Sequence, residues 1–250
     1  MKGYLKMVNR NLLETMYDYS GLGSWAVWES EREDGSFKND KDIKIDIDFS
    51  LYKNELQKTN TVILAMNPGG TFIEKDAETA TRKIKFGDYN WGNFHSQGGN
   101  DSRLAEALRN TPEWGSYMTD IFPIVGSDSE TITKFINNKK NENVVQRLIH
   151  EFDEEMLLLF SGKSEIELLC IGDKSFKWAK KFLVGRNSKI SGLKNTYKIY
   201  QLPHYSGSAN GSISKKCVDL GFKKKEDKLE AKHYSKLFSN TLTEQRLKSK

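Results

Sequence analysis

Residues 61–70 read Thr-Val-Ile-Leu-Ala-Met-Asn-Pro-Gly-Gly, a short apolar and partly β-branched run that stops at a turn-forming cluster. A run of this length without polar alternation predicts a strand buried on both faces, and Pro68 with two glycines ends it abruptly. Three more segments, further along the chain, have the same form: Ser116 to Phe122, ending in Pro123; Glu165 to Ile171, ending in Gly172-Asp173; and Tyr197 to Leu202, ending in Pro203-His204. Helical spacing fills the intervals at Arg103 to Arg109, Val144 to Phe160 and Ser175 to Val184, with Val145, Leu148, Ile149, Phe152, Met156 and Leu159 on one inward face. Alternating strand and helix predict an α/β domain with a short, mostly parallel four-stranded sheet and helices on both faces. Three of the four prolines, Pro68, Pro123 and Pro203, stand at the C-terminal ends of these strands. In an open α/β sheet that edge carries the ligand cleft.

The flanks read differently. Leu5, Val8, Leu12, Leu13 and Met16 share a helical face, and Ile43, Ile45, Ile47 and Phe49 alternate with polar residues as a half-exposed edge strand would. Residues 1–55 are therefore expected to form a helical extension plus an edge strand, and residues 222–250 a basic helix or tail, around a single domain. The 250 residues, 37% apolar and 11% aromatic, suffice for one sizeable core. Lys and Arg number 39 against 34 Asp and Glu, and 11 basic against 5 acidic residues lie from Ser214 onward, so the positive excess is terminal. Such a charge adds salt-sensitive attraction to DNA or simply makes a solvated face.

Two cysteines, Cys170 and Cys217, exclude a disulfide framework, a zinc knuckle and a four-cysteine cluster. No apolar run approaches the roughly 20 residues of a membrane span, and the first residues lack a signal-peptide core. A cytoplasmic, cofactor-free, metal-free protein is the expectation. Ser161-Gly162-Lys163-Ser164 imitates the end of a P-loop, but position 157, where its first glycine belongs, is Leu157. Ser208 misses the place of a G-x-S-x-G nucleophile by one residue. The four histidines show no helical pairing of the metal-binding kind.

Two strand-end segments remain: Ala65-Met66-Asn67-Pro68-Gly69-Gly70 and Leu202-Pro203-His204-Tyr205-Ser206-Gly207-Ser208-Ala209-Asn210. In this order they resemble the two active-site motifs of the uracil-DNA glycosylase superfamily. The first is similar to the G-x-N-P-G form of its mismatch-specific and single-strand-selective members, and the second to H-P-S-x-x-x-x-N, with Tyr205 where that pattern has proline. Tyr117-Met118-Thr119-Asp120 resembles the Y-[IV]-T-N strand whose last residue reads the base edge; here it is aspartate. Phe86-Gly87 resembles part of a P-F-G segment that supplies a stacking ring. The resemblance covers roughly residues 55 to 220 and implies a monofunctional DNA glycosylase that leaves an abasic site, acting as a monomer in repair or in defence against foreign DNA.

It also implies roles. Asn67 positions the water and His204 stabilises the leaving base; Met66, Gly69, Phe86 and Asp120 surround the base; Tyr205, Ser206, Gly207, Ser208 and Asn210 meet the DNA, Tyr205 as a wedge in the vacated stack. These residue types suit the chemistry, since cleaving a nucleoside C–N bond needs an oriented water and a donor for the charge on the departing base. Trp91 and Phe94 compete with Phe86 as the stacking ring, with core packing the plain alternative for all three. An ionised Asp120 would favour an exocyclic amine and repel O4 of uracil unless the carboxyl is protonated, and Gly69 leaves room at C5. Those two departures point to a C5-modified pyrimidine, a hypermodified cytosine of phage DNA included, ahead of plain uracil. Competing readings are a catalytically weak nucleic-acid-binding module of the same fold and a hydrolase of free nucleosides or nucleotides. A strand-to-helix turn at Asn67 and a loop-capping His204 would need no chemistry at all.

Overall fold

The structure, a computed structural model, describes residues 11–44, 47–66, 80–85, 91, 99–123, 129–162, 164–184 and 190–249. Five strands, β1 (Ser24–Trp25), β2 (Thr61–Ala65), β3 (Tyr117–Asp120), β4 (Glu165–Ile171) and β5 (Thr196–Leu202), form one sheet in the order β1-β3-β2-β4-β5. All neighbours pair in parallel except β1, which runs antiparallel to β3. The expected four-stranded sheet is thus corrected to five, because a two-residue strand is too short to show a periodicity. The central strands β2 and β4 read as largely continuous apolar runs because both faces are covered, whereas the edge strand β5 keeps exposed polar positions. Val62, Leu64, Leu168 and Cys170 pack into one core, while Ile63, Leu169, Ile171 and Leu202 pack into the other.

The first core holds α1 (Leu12–Thr15), α3 (Ser129–Asn137), α4 (Glu142–Leu159) and α5 (Asp173–Leu183); the second holds α2 (Asp101–Leu108), α6 (Asn210–Asp219) and α7 (Ala231–Lys248). On α4 all six residues of the expected inward face are buried. The connection from β2 to β3 passes over the second face, while those from β3 to β4 and from β4 to β5 pass over the first. Chain direction across the sheet therefore reverses at β2, and the crevice between the ends of β2 and β4 is the switch point where open α/β sheets bind ligands.

The flanks differ from expectation in two ways. Among the described residues here, Asp40–Asp42 and Phe49–Tyr52 form 3₁₀ turns and Ile43 makes an isolated bridge to Ser30, outside the sheet. Asp40 there caps α2, accepting from the Asn100 and Ser102 backbone N–H groups at 2.8 and 3.1 Å. Of the expected N-terminal helix, Leu12 to Thr15 are helical and Met16 is buried; Leu5 and Val8, like Ile45, lie outside the described residues.

The C-terminal segment is a helix of the second layer. Ala231, Tyr234, Leu237, Phe238 and Leu242 of α7 are buried, while Lys232, Lys236 and Lys248 are exposed. Its end is fastened to the sheet: the Gln245 side-chain amide exchanges two hydrogen bonds with the backbone of Gln201 on the edge strand β5, and Arg246 bridges Glu113 and Glu167. Among the described residues no helix is long and apolar enough to cross a membrane. Removing residues 231–250 deletes the five buried α7 side chains and exposes the second-core residues that pack against them, at about 1.5–3 kcal/mol per large apolar side chain exposed. The expected outcome is a chain that aggregates or melts without a cooperative transition, checked by calorimetry; a dispensable tail would leave the melting temperature unchanged.

Candidate active site

The parallel strands deliver the ends of β2, β3, β4 and β5 to one edge of the sheet. Pairing of β2 with β3 sets Ala65 opposite Asp120 and continues past both strands, with Phe122 N–H donating to the Met66 carbonyl at 3.3 Å. Asn67, Gly69 and Phe86 lie outside the described residues, as do Phe72, Tyr89, Phe94 and His95. Met66 is half-buried against the first core. Trp91 packs at 5.3 Å from the Trp25 ring and at 6.3 Å, edge-on, from Tyr117, so this ring contributes to the core.

His204 follows β5. Its Nδ1 accepts the Ser206 backbone N–H at 3.1 Å, so in the neutral ring the proton resides on Nε2, the nitrogen left to act as a donor. The residue is exposed overall, yet the protein around its ring removes enough water to lower its pKa below the ordinary histidine value. A donor that stays neutral near pH 7 suits a leaving group gaining negative charge.

Gly172, at the end of β4, lies beneath this ring. Its φ of +89° is one that side chains rarely adopt, and a Cβ there would stand 2.9 Å from His204 Cδ2. Its N–H donates to the Leu202 carbonyl at 2.8 Å, extending the β4–β5 pairing to the base of the histidine loop. Sequence reading found Gly172 only as a turn signal; that it shapes a seat for a ring 32 positions later depends on strand order.

Tyr205 stacks on His204, with centroids 5.4 Å apart and planes at 21°. Its ring packs into the second core and its hydroxyl bonds the side chain of Asp101, a buried residue of the first turn of α2. Burial, with Asp101 as a lesser cause, pushes the phenol well above its usual pKa. Tyr205, expected as a wedge, here has its ring turned inward against the second core and toward Asp101. Arg103 of α2 fixes the loop from below, donating to the Tyr205 carbonyl at 3.0 Å and to Asn210 Oδ1 at 2.6 Å. Tyr234 of α7 donates to the Pro203 carbonyl at 2.7 Å. Ser206 and Ser208 share a 2.8 Å hydrogen bond between hydroxyls, and Gly207 to Ala209 form a 3₁₀ turn leading into α6. Asp101, Arg103 and Tyr234 had no local signal, because their contacts with this loop span from about 30 to over 100 positions.

Beneath the end of β3 lies a buried charge network. Arg82 is fully buried; its Nε pairs with Glu155 of α4, Nη2 donates to Thr119 Oγ1 at 2.8 Å, and Nη1 donates to the Asp120 and Ile121 carbonyls at 2.7 and 3.2 Å. Tyr117 completes it through its hydroxyl, 2.8 Å from Glu155 Oε1. A cavity of about 820 Å³, lined by Trp28, Phe37, Trp114, Glu29, Lys44 and Arg109 among others, opens at the opposite end of the strands, away from His204 and Asp120.

Gly172→Ala tests the seat of the ring. The methyl group strains the backbone and displaces His204, so a stability loss of about 1–3 kcal/mol is expected, together with loss of the Nε2–H tautomer signature in imidazole ¹⁵N spectra at pH 7. Unchanged ¹⁵N shifts would mean the glycine does not position the histidine. No family model, curated protein or solved structure matches the chain.

Proposed function

We propose that this protein is a monofunctional DNA glycosylase that hydrolyses the N-glycosidic bond of a flipped-out pyrimidine and leaves an abasic site. The observation that carries the proposal is His204: a neutral imidazole at the carboxyl edge of a parallel sheet, its Nδ1 occupied by a backbone N–H and its Nε2–H left to donate. Such a donor stabilises the charge gathering on O2 of a departing pyrimidine, the task of an oxyanion hole. The motif Asn67-Pro68-Gly69 follows strand β2, separated from β5 in the sheet by β4, and begins two residues past Ala65 in sequence. An asparagine there orients a water with its carboxamide oxygen while the sugar carbon becomes electrophilic.

The remaining parts fit this chemistry. Ser206, Ser208 and the backbone N–H groups of the turn before α6 offer small donors to a phosphate flanking the extruded nucleotide. The Arg103, Asp101 and Tyr234 contacts hold that loop, so the donor is positioned before substrate arrives. Substrates in this reading are uracil and C5-substituted pyrimidines, with repair and defence against modified foreign DNA as the two settings.

Base release is tested by single-turnover assays on oligonucleotides carrying uracil, cytosine and C5-substituted cytosines, read as alkali-labile breaks. Asn67→Ala and His204→Ala are each expected to slow release by about 10²-fold, with DNA affinity changed by only a few-fold. The His204→Ala loss shrinks for bases whose anions leave readily. Turnover of free nucleosides with no salt-dependent DNA binding would replace this function with metabolite hydrolysis.

A further inference from the structure

The cavity at the amino ends of the strands has no part in the chemistry described above. Residues 28–44 of the N-terminal flank, 52–59 before β2 and 109–114 between α2 and β3 supply its walls, and its volume of about 820 Å³ lies within the range of small-molecule sites. The walls are locked together by backbone. Gly115 N–H donates to the Ala26 carbonyl at 2.9 Å, and Gln57 N–H donates to the Gly115 carbonyl at 2.8 Å. Gly115 has a φ of +78°, and a Cβ there would run into the Glu55 carbonyl oxygen, so glycine is what lets two of the walls meet. Four aromatic rings face the cavity: Trp28 and Phe37 are buried, Tyr52 and Trp114 half-buried. Trp28 backs Trp114 with ring centroids 5.7 Å apart, and the two half-buried rings are held by carboxylates, Trp114 Nε1–H donating to Glu55 and the Tyr52 hydroxyl to Glu29, each at 2.9 Å. Rings fixed in this way suit a flat apolar group.

The charge left uncommitted on the lining is positive. Glu29 is engaged by Tyr52 and, at 3.0 Å, by Lys44, and Glu55 by Trp114. Lys58 is exposed and has no side-chain partner among the described residues, while Arg109 gives Nε and Nη2 to Glu106 and keeps Nη1. Aromatic walls beside two available cations call for a planar ring that carries an anion. A phosphate monoester, with a charge of about −1.5 to −2 at pH 7, answers both cations, whereas a carboxylate answers one. We propose that this cavity binds a free mononucleotide, its base against the rings of Trp28, Phe37, Tyr52 and Trp114 and its phosphate on Lys58 and Arg109. Every base has a π-face, so the rings select for a base without choosing which one. The site shares no residue with His204, Asn67 or the loop after β5, and its occupancy is independent of the glycosylase reading.

Isothermal titration calorimetry on the full chain tests this with AMP, GMP, CMP and UMP, and with adenosine and inorganic phosphate as the two halves of the ligand. Saturable single-site binding of the mononucleotides is expected, with adenosine and phosphate each weaker by about tenfold or more. Lys58→Glu, at an exposed position that the fold does not need, is expected to weaken mononucleotide binding by about tenfold or more and to reduce its dependence on salt. Trp114→Leu is expected to weaken it as well, and should that variant melt early, Lys58→Glu decides alone. His204→Ala is expected to bind mononucleotides as the wild type does. Absence of binding by all four mononucleotides, adenosine binding as tightly as AMP, an affinity unmoved by Lys58→Glu, or a loss on His204→Ala instead would each overturn the site. Binding of a single-stranded DNA oligonucleotide that Lys58→Glu abolishes, without any binding of mononucleotides, overturns the proposal in favour of a strand-binding groove.

Discussion

The Arg82 guanidinium, buried without solvent contact, is the constraint on which the carboxyl edge of the sheet depends. Its partners come from three parts of the chain: Glu155 on α4, Thr119 on β3, and the carbonyls of Asp120 and Ile121 where β3 ends. A charge taken out of water is tolerated only when its donors are matched, and removing one partner of such a pair costs about 3–5 kcal/mol. The Phe152 ring, 5.0 Å from the guanidinium carbon, closes one side. The network holds the backbone of β3 at the point where Asp120 turns to the opposite face with its own oxygens unpaired. Satisfied and unpaired side chains meet at the consecutive residues Thr119 and Asp120, because neighbours on a strand face opposite sides of the sheet.

The histidine loop is positioned by the same logic from the second layer. Arg103, Asp101 and Tyr234 reach it from α2 and α7, and Gly172 leaves space for the imidazole ring. Because α7 also covers the core on that face, the end of the chain stabilises the fold and braces the loop together. A loop held by these contacts has little conformational freedom left to lose on binding.

Legibility followed the range of the interactions. β2, β4 and β5 were readable to within about a residue, and the six-residue inward face of α4 in full, because burial on both sheet faces and helical periodicity are written locally. The two-residue β1 carries no period, and the residues around Ile43 alternate like a strand while Asp40 is drawn off to cap α2. His204 was found through its motif, but the tautomer that makes it a donor depends on the Ser206 N–H geometry, and the inward turn of Tyr205 depends on Asp101.

The sequence by itself determined an α/β chain whose strands end in Pro, Gly, Asn and His clusters, since apolar runs, periodicities and turn chemistry act over a few residues. Only the tertiary structure decided the strand order and with it the switch point, the fifth strand, the packing of α7, the seat of His204 on Gly172, and the raised carboxyl pKa of Asp120. The upward shift of that carboxyl is the clearest case. Its sequence neighbours say nothing of water, whereas burial among α2, α4 and the histidine loop removes the solvent that would otherwise stabilise its charge.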